Sequence, residues 1–340
     1  MQAGLEGRIQ IVLNSATQSA SVQIQRPLAA IQKLLVGKTV EQALERIPLL
    51  FSICSQAQSC AALLAVQKTL KLPSQPKLLE TQAQLVRLET QREHVLRILM
   101  DWSTWLGQQP NPSLIQQAMR IVPQARQAWF QGARAFTLTS ELATTDTEIM
   151  DVWESFLETH IFAMSLDKWE QLNTLKALQR WIAAQATVAA QTLAQLQQQQ
   201  LASLGANDFP LAEEASVLKR QAQQPIIRAA LAAYGNGVFT RYLARLVELV
   251  QPSIMNLAHQ QVEAARGSLR HVVQLNAQGL VKNYEILAPT DLTFASQGVV
   301  SEGLQALMQT ASSSELVSQA RLWIAALDPC VAYDLELSYA

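Results

Sequence analysis

Apolar side chains in this sequence recur every three or four residues over stretches too long for strands, a period that makes the chain mainly helical. Between residues 78 and 106, Leu85, Leu88, Val95, Leu99, Trp102 and Leu106 keep that spacing, with Pro76 ahead of the run and Gly107 closing it. The spacing predicts one long amphipathic helix, with Trp102 and Trp105 as core and helix-face aromatics. A second long helix is predicted from Ser165, a residue suited to an N-cap, through Trp169, Leu172, Leu175 and Ile182 into a glutamine-rich tract ending before Gly205. The Ala/Leu/Gln context of that tract favours helix, so it reads as the solvated end of the same element. Helical spacing returns over residues 301–327.

Strand patterns are confined to short stretches near the two ends. Residues 8–13 and 22–25 alternate apolar and polar side chains around a polar turn, and HVVQL, NAQG and LVKNYEIL read as strand, glycine turn, strand. The expected class is α+β, predominantly α, with small antiparallel hairpins near the N-terminus and the C-terminus. Connections are expected at residues 110–112, 144–147 and 205–210. There is no βαβ alternation and no internal repeat, so a nucleotide-binding sheet is not indicated.

With 340 residues, 49% of them apolar and 16% charged, the chain can bury a large core. Its net charge of -1 comes from scattered residues, leaving no basic footprint for nucleic acid or an anionic membrane surface. No apolar run approaches spanning length and no leader pattern opens the chain, so a cytoplasmic location is expected. Three cysteines make no disulfide framework and contain no CxxC pair, so they are expected as reduced thiols. No Ser/His/Asp set, phosphate loop or dinucleotide motif is present, and no enzymatic activity is expected.

Four separated segments resemble the [NiFe] hydrogenase large subunit and occur in that family's order. Leu5-Glu6-Gly7-Arg8-Ile9 is similar to its opening Glu-Gly-His strand, with Arg8 in place of His. Residues 51–62, FSICSQAQSCAA, resemble the Cys-Gly-x-Cys-x-x-x-His motif; Cys54 keeps the second cysteine, while Phe51, Ser52 and Gln58 stand for the first cysteine, Gly and His. Glu263-Ala264-Ala265-Arg266-Gly267-Ser268-Leu269-Arg270-His271, continuing to Ala288-Pro289-Thr290, resembles the Glu-Ala-Pro-Arg-Gly-x-Leu-x-His block and its trailing hairpin, with Ala265 replacing Pro. Asp328-Pro329-Cys330 resembles the C-terminal Asp-Pro-Cys-x-x-Cys-x-x-His, with Tyr333 and Glu336 replacing the second Cys and the His.

This truncated pattern, with one cysteine per metal motif, is similar to hydrogenase expression/formation proteins of the HupK and HoxV kind. The resemblance implies one large-subunit-like domain over residues 1–340: hairpin and first cysteine motif in 1–70, helices in 71–250, and the Arg-Gly block, hairpin and last cysteine in 251–340. It also implies that Cys54 and Cys330 are metal ligands, and that Arg266 and Thr290 face the cyanides of an Fe(CN)2CO unit. Leu269 and the Pro position held by Ala265 would line its carbonyl pocket. Half the nickel thiolates are missing, so no nickel and no hydrogen turnover are expected. With only Leu337 to Ala340 beyond the last motif, C-terminal processing is not expected.

The implied partners are maturation factors that assemble and deliver the iron unit, and the large-subunit precursor. The competing expectation is an interaction-only mimic that never holds iron. In isolation, Cys54 and Cys330 would read as small buried hydrophobes; Cys60, six residues past Cys54 and around the helix, is assigned to the core. His94, His160 and His259 are assigned structural or surface roles, and His271 an orienting role toward Arg266 or the hairpin. Glu6, whose family counterpart serves proton transfer, is expected to be dispensable.

Overall fold

The computed structural model describes residues 7–25, 28–73, 75–143, 148–251 and 260–339. Glu6, His259 and the connection at 144–147 lie outside them. The chain opens with β1 (Arg8–Asn14) and β2 (Ser19–Gln25), the expected antiparallel hairpin. Four helices follow: α1 (Leu28–Leu35), α2 (Val40–Leu50), α3 (Ser55–Thr69) and α4 (Pro76–Arg97). α4 runs into a π-turn at Ile98–Trp102 and a last turn at Ser103–Trp105, so the predicted long helix is present and ends at Gly107.

α5 (Pro112–Trp129) and α6 (Glu148–Leu157) come next. The second long helix is instead three pieces: Leu166–Glu170, α7 (Leu175–Ala184) and α8 (Val188–Gln198). Thr174 and Thr187 each accept a backbone N–H from the third residue of a new helix, and Gln185 ends α7 in the left-handed region. Two threonine caps thus restart the chain where composition alone favours continuation. Ser165 stands at the N-cap position of Leu166–Glu170 without a side-chain capping bond. The glutamine tract does form the exposed end of α8.

α9 (Pro225–Tyr234) leads into α10 (Val238–Val250), in which every residue is buried. A helix buried on all faces must have each of its charges answered. Arg241 meets Glu214 through two hydrogen bonds at 2.9 and 2.8 Å, and Glu248 takes His94 at 2.7 Å together with Arg220. Arg220 in turn reaches Glu263 at 3.0 Å. These pairs tie α10 to α4 and to the strand that precedes the Arg-Gly block. His94 is thus structural, and burial holds it below its usual range despite the Glu248 bond.

β3 (Val262–Ala264), β4 (Gly267–Leu275) and β5 (Val281–Leu287) form an antiparallel sheet against α3. α11 (Val299–Thr310) and α12 (Leu316–Leu327) split the last predicted helical region. β6 (Ala332–Ser338), absent from the sequence reading, pairs in parallel with β1, from Arg8 opposite Ala332 to Asn14 opposite Ser338. That pairing makes a three-stranded sheet of order β2-β1-β6 and brings the last cysteine motif back to the start of the chain. No described helix is long and apolar enough to cross a membrane.

α11 and α12 meet at the fully buried ring of Trp323. A Cβ on Gly303 would lie 2.3 Å from that ring. Gly303→Ala should therefore cost about 1–3 kcal/mol by overpacking, read as a lower urea midpoint at unchanged slope. An unchanged midpoint would mean that the ring does not pack against this glycine.

Candidate functional site

Cys54 is the N-cap residue of α3, but its side chain makes no capping bond. The helix terminus is satisfied from α4, where Glu89 accepts the N–H groups of Gln56 and Ala57, each at 2.9 Å. A carboxylate at an N-terminus offsets the positive end of the helix dipole. Burial nevertheless raises Glu89 to about 7, against the lowering effects of Arg92 and the two N–H groups.

Arg266 occupies the two-residue turn between β3 and β4, where Ala264 pairs with Gly267. Gly267 has φ 133°, and a Cβ there would sit 1.5 Å from the carbonyl oxygen of Ala215. Only glycine fits, and the turn is thereby driven into the interior with the Arg266 side chain beside it. Arg266 Nη1 donates to Glu93 Oε2 at 2.8 Å and lies 3.4 Å from Cys54 Sγ. Its Nε is 3.1 Å from Asp328 Oδ2, and its Nη2 is buried without a hydrogen bond. These carboxylates hold the guanidinium well above its usual range against the opposing effect of burial.

Cys330 follows Asp328, which ends α12 in the left-handed region, and precedes β6. Its sulfur is 3.0 Å from Thr290 Oγ1. Thr290 is buried in the short helix Pro289–Thr293 that follows β5. Cys54, Arg266, Leu269 and Cys330 line one cavity of about 30 Å³, closed further by Phe51, Gln58, Ala264 and Pro289. A wider cleft of about 830 Å³ shares the Cys330 and Val331 wall and opens between Arg97, Arg321 and Tyr333.

Five of the six expected site residues therefore converge: the two thiols, Arg266 and Leu269 on the cavity wall, and Thr290 against Cys330. Ala265 does not join them. The turn sends it to a separate crevice behind Arg266, and Ala264 takes the expected place on the cavity wall. Cys60 is buried in the core, as expected. His271 anchors the hairpin to α3: burial lowers it to about 3, so the neutral ring donates from Nε2 to Gln58 Oε1 at 2.7 Å and accepts at Nδ1 from the Tyr284 hydroxyl at 2.8 Å.

Glu93 and Glu89 were missed by sequence reasoning, and Asp328 was placed in the last cysteine motif without a role in the site. The available signal was the polar run ETQREH inside α4, five of whose six side chains are buried. For Asp328, the signal was its place one residue ahead of Pro329-Cys330.

Burial pushes the Cys54 thiol up to about 12, with Arg266 opposing and Glu89, Glu93 and Cys330 reinforcing. Cys54 is therefore a protonated thiol at neutral pH and must release its proton to bind a metal. Among the described residues no cluster of three or more His, Cys, Asp or Glu side chains could hold a metal ion. Two thiols beside a buried guanidinium suit a metal that arrives with most of its ligands attached.

No family model matches the chain. It is 27% identical to the hydrogenase expression/formation protein HupV of Azotobacter chroococcum mcd 1, over 99% of this chain and 100% of that protein. The protein of the same description named HupK in Azotobacter vinelandii is 27% identical over the same shares. HoxV of Cupriavidus necator is 27% identical over 92% of each chain. Among solved structures, the Ni-Fe-Se hydrogenase of D. vulgaris Hildenborough aligns with a TM-score of 0.60 at 13% identity, over 92% of this chain and 93% of that one. An NAD+-reducing [NiFe]-hydrogenase aligns at 0.52 and 12%, over 92% of each. The chain thus has the fold of [NiFe] hydrogenase large subunits and full-length similarity to hydrogenase expression/formation proteins.

The position of Glu89 gives a pH test. Its folded value lies above its unfolded one, so the contribution of Glu89 to stability is fully present below about 4.5 and is lost as pH rises through about 7. The fall should amount to roughly 3 kcal/mol and be absent in Glu89→Gln, as read from urea unfolding of both proteins between pH 5 and 8. Parallel pH curves for the two proteins would contradict the assignment.

Proposed function

We propose that this protein is a non-catalytic scaffold in [NiFe] hydrogenase maturation that holds an Fe(CN)2CO unit between Cys54 and Cys330. The reading is carried by one observation: two thiols from distant parts of the sequence meet at one cavity whose wall includes a buried guanidinium with an unpartnered N–H. Each thiol would give up a proton, and its sulfur would donate a lone pair to iron. Arg266 Nη2 offers a charge-assisted donor to one cyanide nitrogen and the Thr290 hydroxyl a neutral donor to the other, with Leu269 as an apolar wall toward the carbonyl. Phe51 and Tyr333 stand where two further thiolates would be needed for nickel, so the site is assigned to iron alone.

Cys330 lies on the wall shared with the wider cleft, and that cleft is the natural route for loading and unloading. The factors that build and deliver the unit, and the large-subunit precursor that receives it, are the partners this reading requires. The tightness of the thiol cavity, about 30 Å³, favours the second reading, in which the protein offers a large-subunit-like surface to those partners and never holds iron.

Protein purified after co-production with the maturation machinery should show cyanide and carbonyl infrared bands and no stoichiometric nickel. Cys54→Ser and Cys330→Ser should abolish the bands. Arg266→Ala should weaken iron retention by ~10–100-fold, and Arg266→Lys should restore it only in part. Silence in the wild type would leave the interaction-only reading standing, and bands that survive loss of both cysteines would place the iron elsewhere.

A further inference from the structure

Three residues line both the thiol cavity of about 30 Å³ and the cleft of about 830 Å³: Ile53, Cys330 and Val331. Cys330 is therefore open to the cleft directly. Cys54 lines the small cavity alone, so an occupant arriving from the cleft reaches it by passing between these three residues.

The two lips of that passage are built differently. On one side Val331 is buried and follows Pro329, whose ring fixes its own backbone. On the other, Ile53 is half-buried and lies in the short connection between α2 and α3, outside any helix or strand. Its carbonyl oxygen accepts from Arg92 Nη2 at 3.3 Å. Arg92 is held in turn by Glu93 Oε1, which accepts its Nε at 3.2 Å and its Nη2 at 2.6 Å, while Glu93 Oε2 takes Arg266. Adjacent residues on a helix point apart, so Arg92 has to fold back across α4 to make this pair, and in that conformation its guanidinium meets Ile53. One carboxylate thus ties the Ile53 connection to the guanidinium beside Cys54.

We propose that Ile53 controls passage from the cleft to Cys54, and that Arg92, fastened by Glu93, is the latch that keeps this passage closed. Both are positioning residues: they act on access to the thiol and touch no metal. The inference rests on the cleft being the loading route of the proposed function, but not on iron being held.

The test uses the full chain without iron. At one pH the protein is treated with a small thiol reagent, methyl methanethiosulfonate, and a bulkier one, N-ethylmaleimide, and the rates at Cys54 and Cys330 are read separately by peptide mass spectrometry. Burial already makes Cys54 a weak nucleophile. Two reagent sizes separate this from access, because a change in acidity moves both rates alike and a wider passage moves the bulky reagent more. In the wild type, N-ethylmaleimide should label Cys330 well before Cys54. Arg92→Met should raise the Cys54 rate with N-ethylmaleimide by about tenfold, the weight of one hydrogen bond from a charged group, with a smaller rise for the small reagent and no change at Cys330. Ile53→Ala, which alters no charge, should act in the same direction. Equal labelling of the two cysteines in the wild type, a Cys54 rate untouched by Ile53→Ala, or an equal rise with both reagents would overturn the proposal. If Arg92→Met does not fold, Ile53→Ala decides.

Discussion

The ion pairs of Arg266 with Glu93 and Asp328 join three parts of the chain that are far apart in sequence. Glu93 belongs to α4, Arg266 to the turn between β3 and β4, and Asp328 to the end of α12. Asp328 also takes Arg97 at 3.0 Å, which brings the end of α4 to the same point. Burying such charges is costly, and the return is position rather than net stability. Each thiol is placed by one arm of this arrangement: Cys54 lies against Arg266, and Cys330 follows Asp328 by two residues. The site is thus a consequence of how the helical core closes on the Arg-Gly turn.

Much of this was legible in the sequence where local chemistry is self-sufficient. The hairpin of β1 and β2, the hairpin of β4 and β5, and the long helix ending at Gly107 rest on periodicity and turn residues. The break of the second long helix into three rests on Thr174 and Thr187, whose capping potential was visible but outweighed by the helix-favouring Ala, Leu and Gln around them. β6 was missed although Tyr333, Leu335 and Leu337 alternate, because its partner is β1 at the other end of the chain.

The site divides in the same way. Cys54, Cys330, Arg266, Leu269 and Thr290 were placed by motif resemblance, and the fold brings them together. Ala265 was misplaced because a two-residue turn sends successive side chains to different sides. Glu93 had no motif to carry it; its role exists only once α4 has packed against the Arg-Gly turn. Buried charge pairs of this kind are tertiary events, and a single sequence encodes them only as polar residues where a helix has no exposed face.

On the proposed reading, a protein that keeps the large-subunit fold, two cysteines, Arg266 and Thr290, and lacks the remaining nickel thiolates, would hold half of a bimetallic centre. The most direct measurement is iron K-edge X-ray absorption on protein co-produced with the maturation machinery, compared with Cys54→Ser and Cys330→Ser. The account predicts sulfur from both cysteines in the coordination sphere of a low-spin iron that also carries short carbon ligands. Iron bound only through oxygen or nitrogen, or sulfur coordination unchanged when either cysteine is replaced, would contradict it.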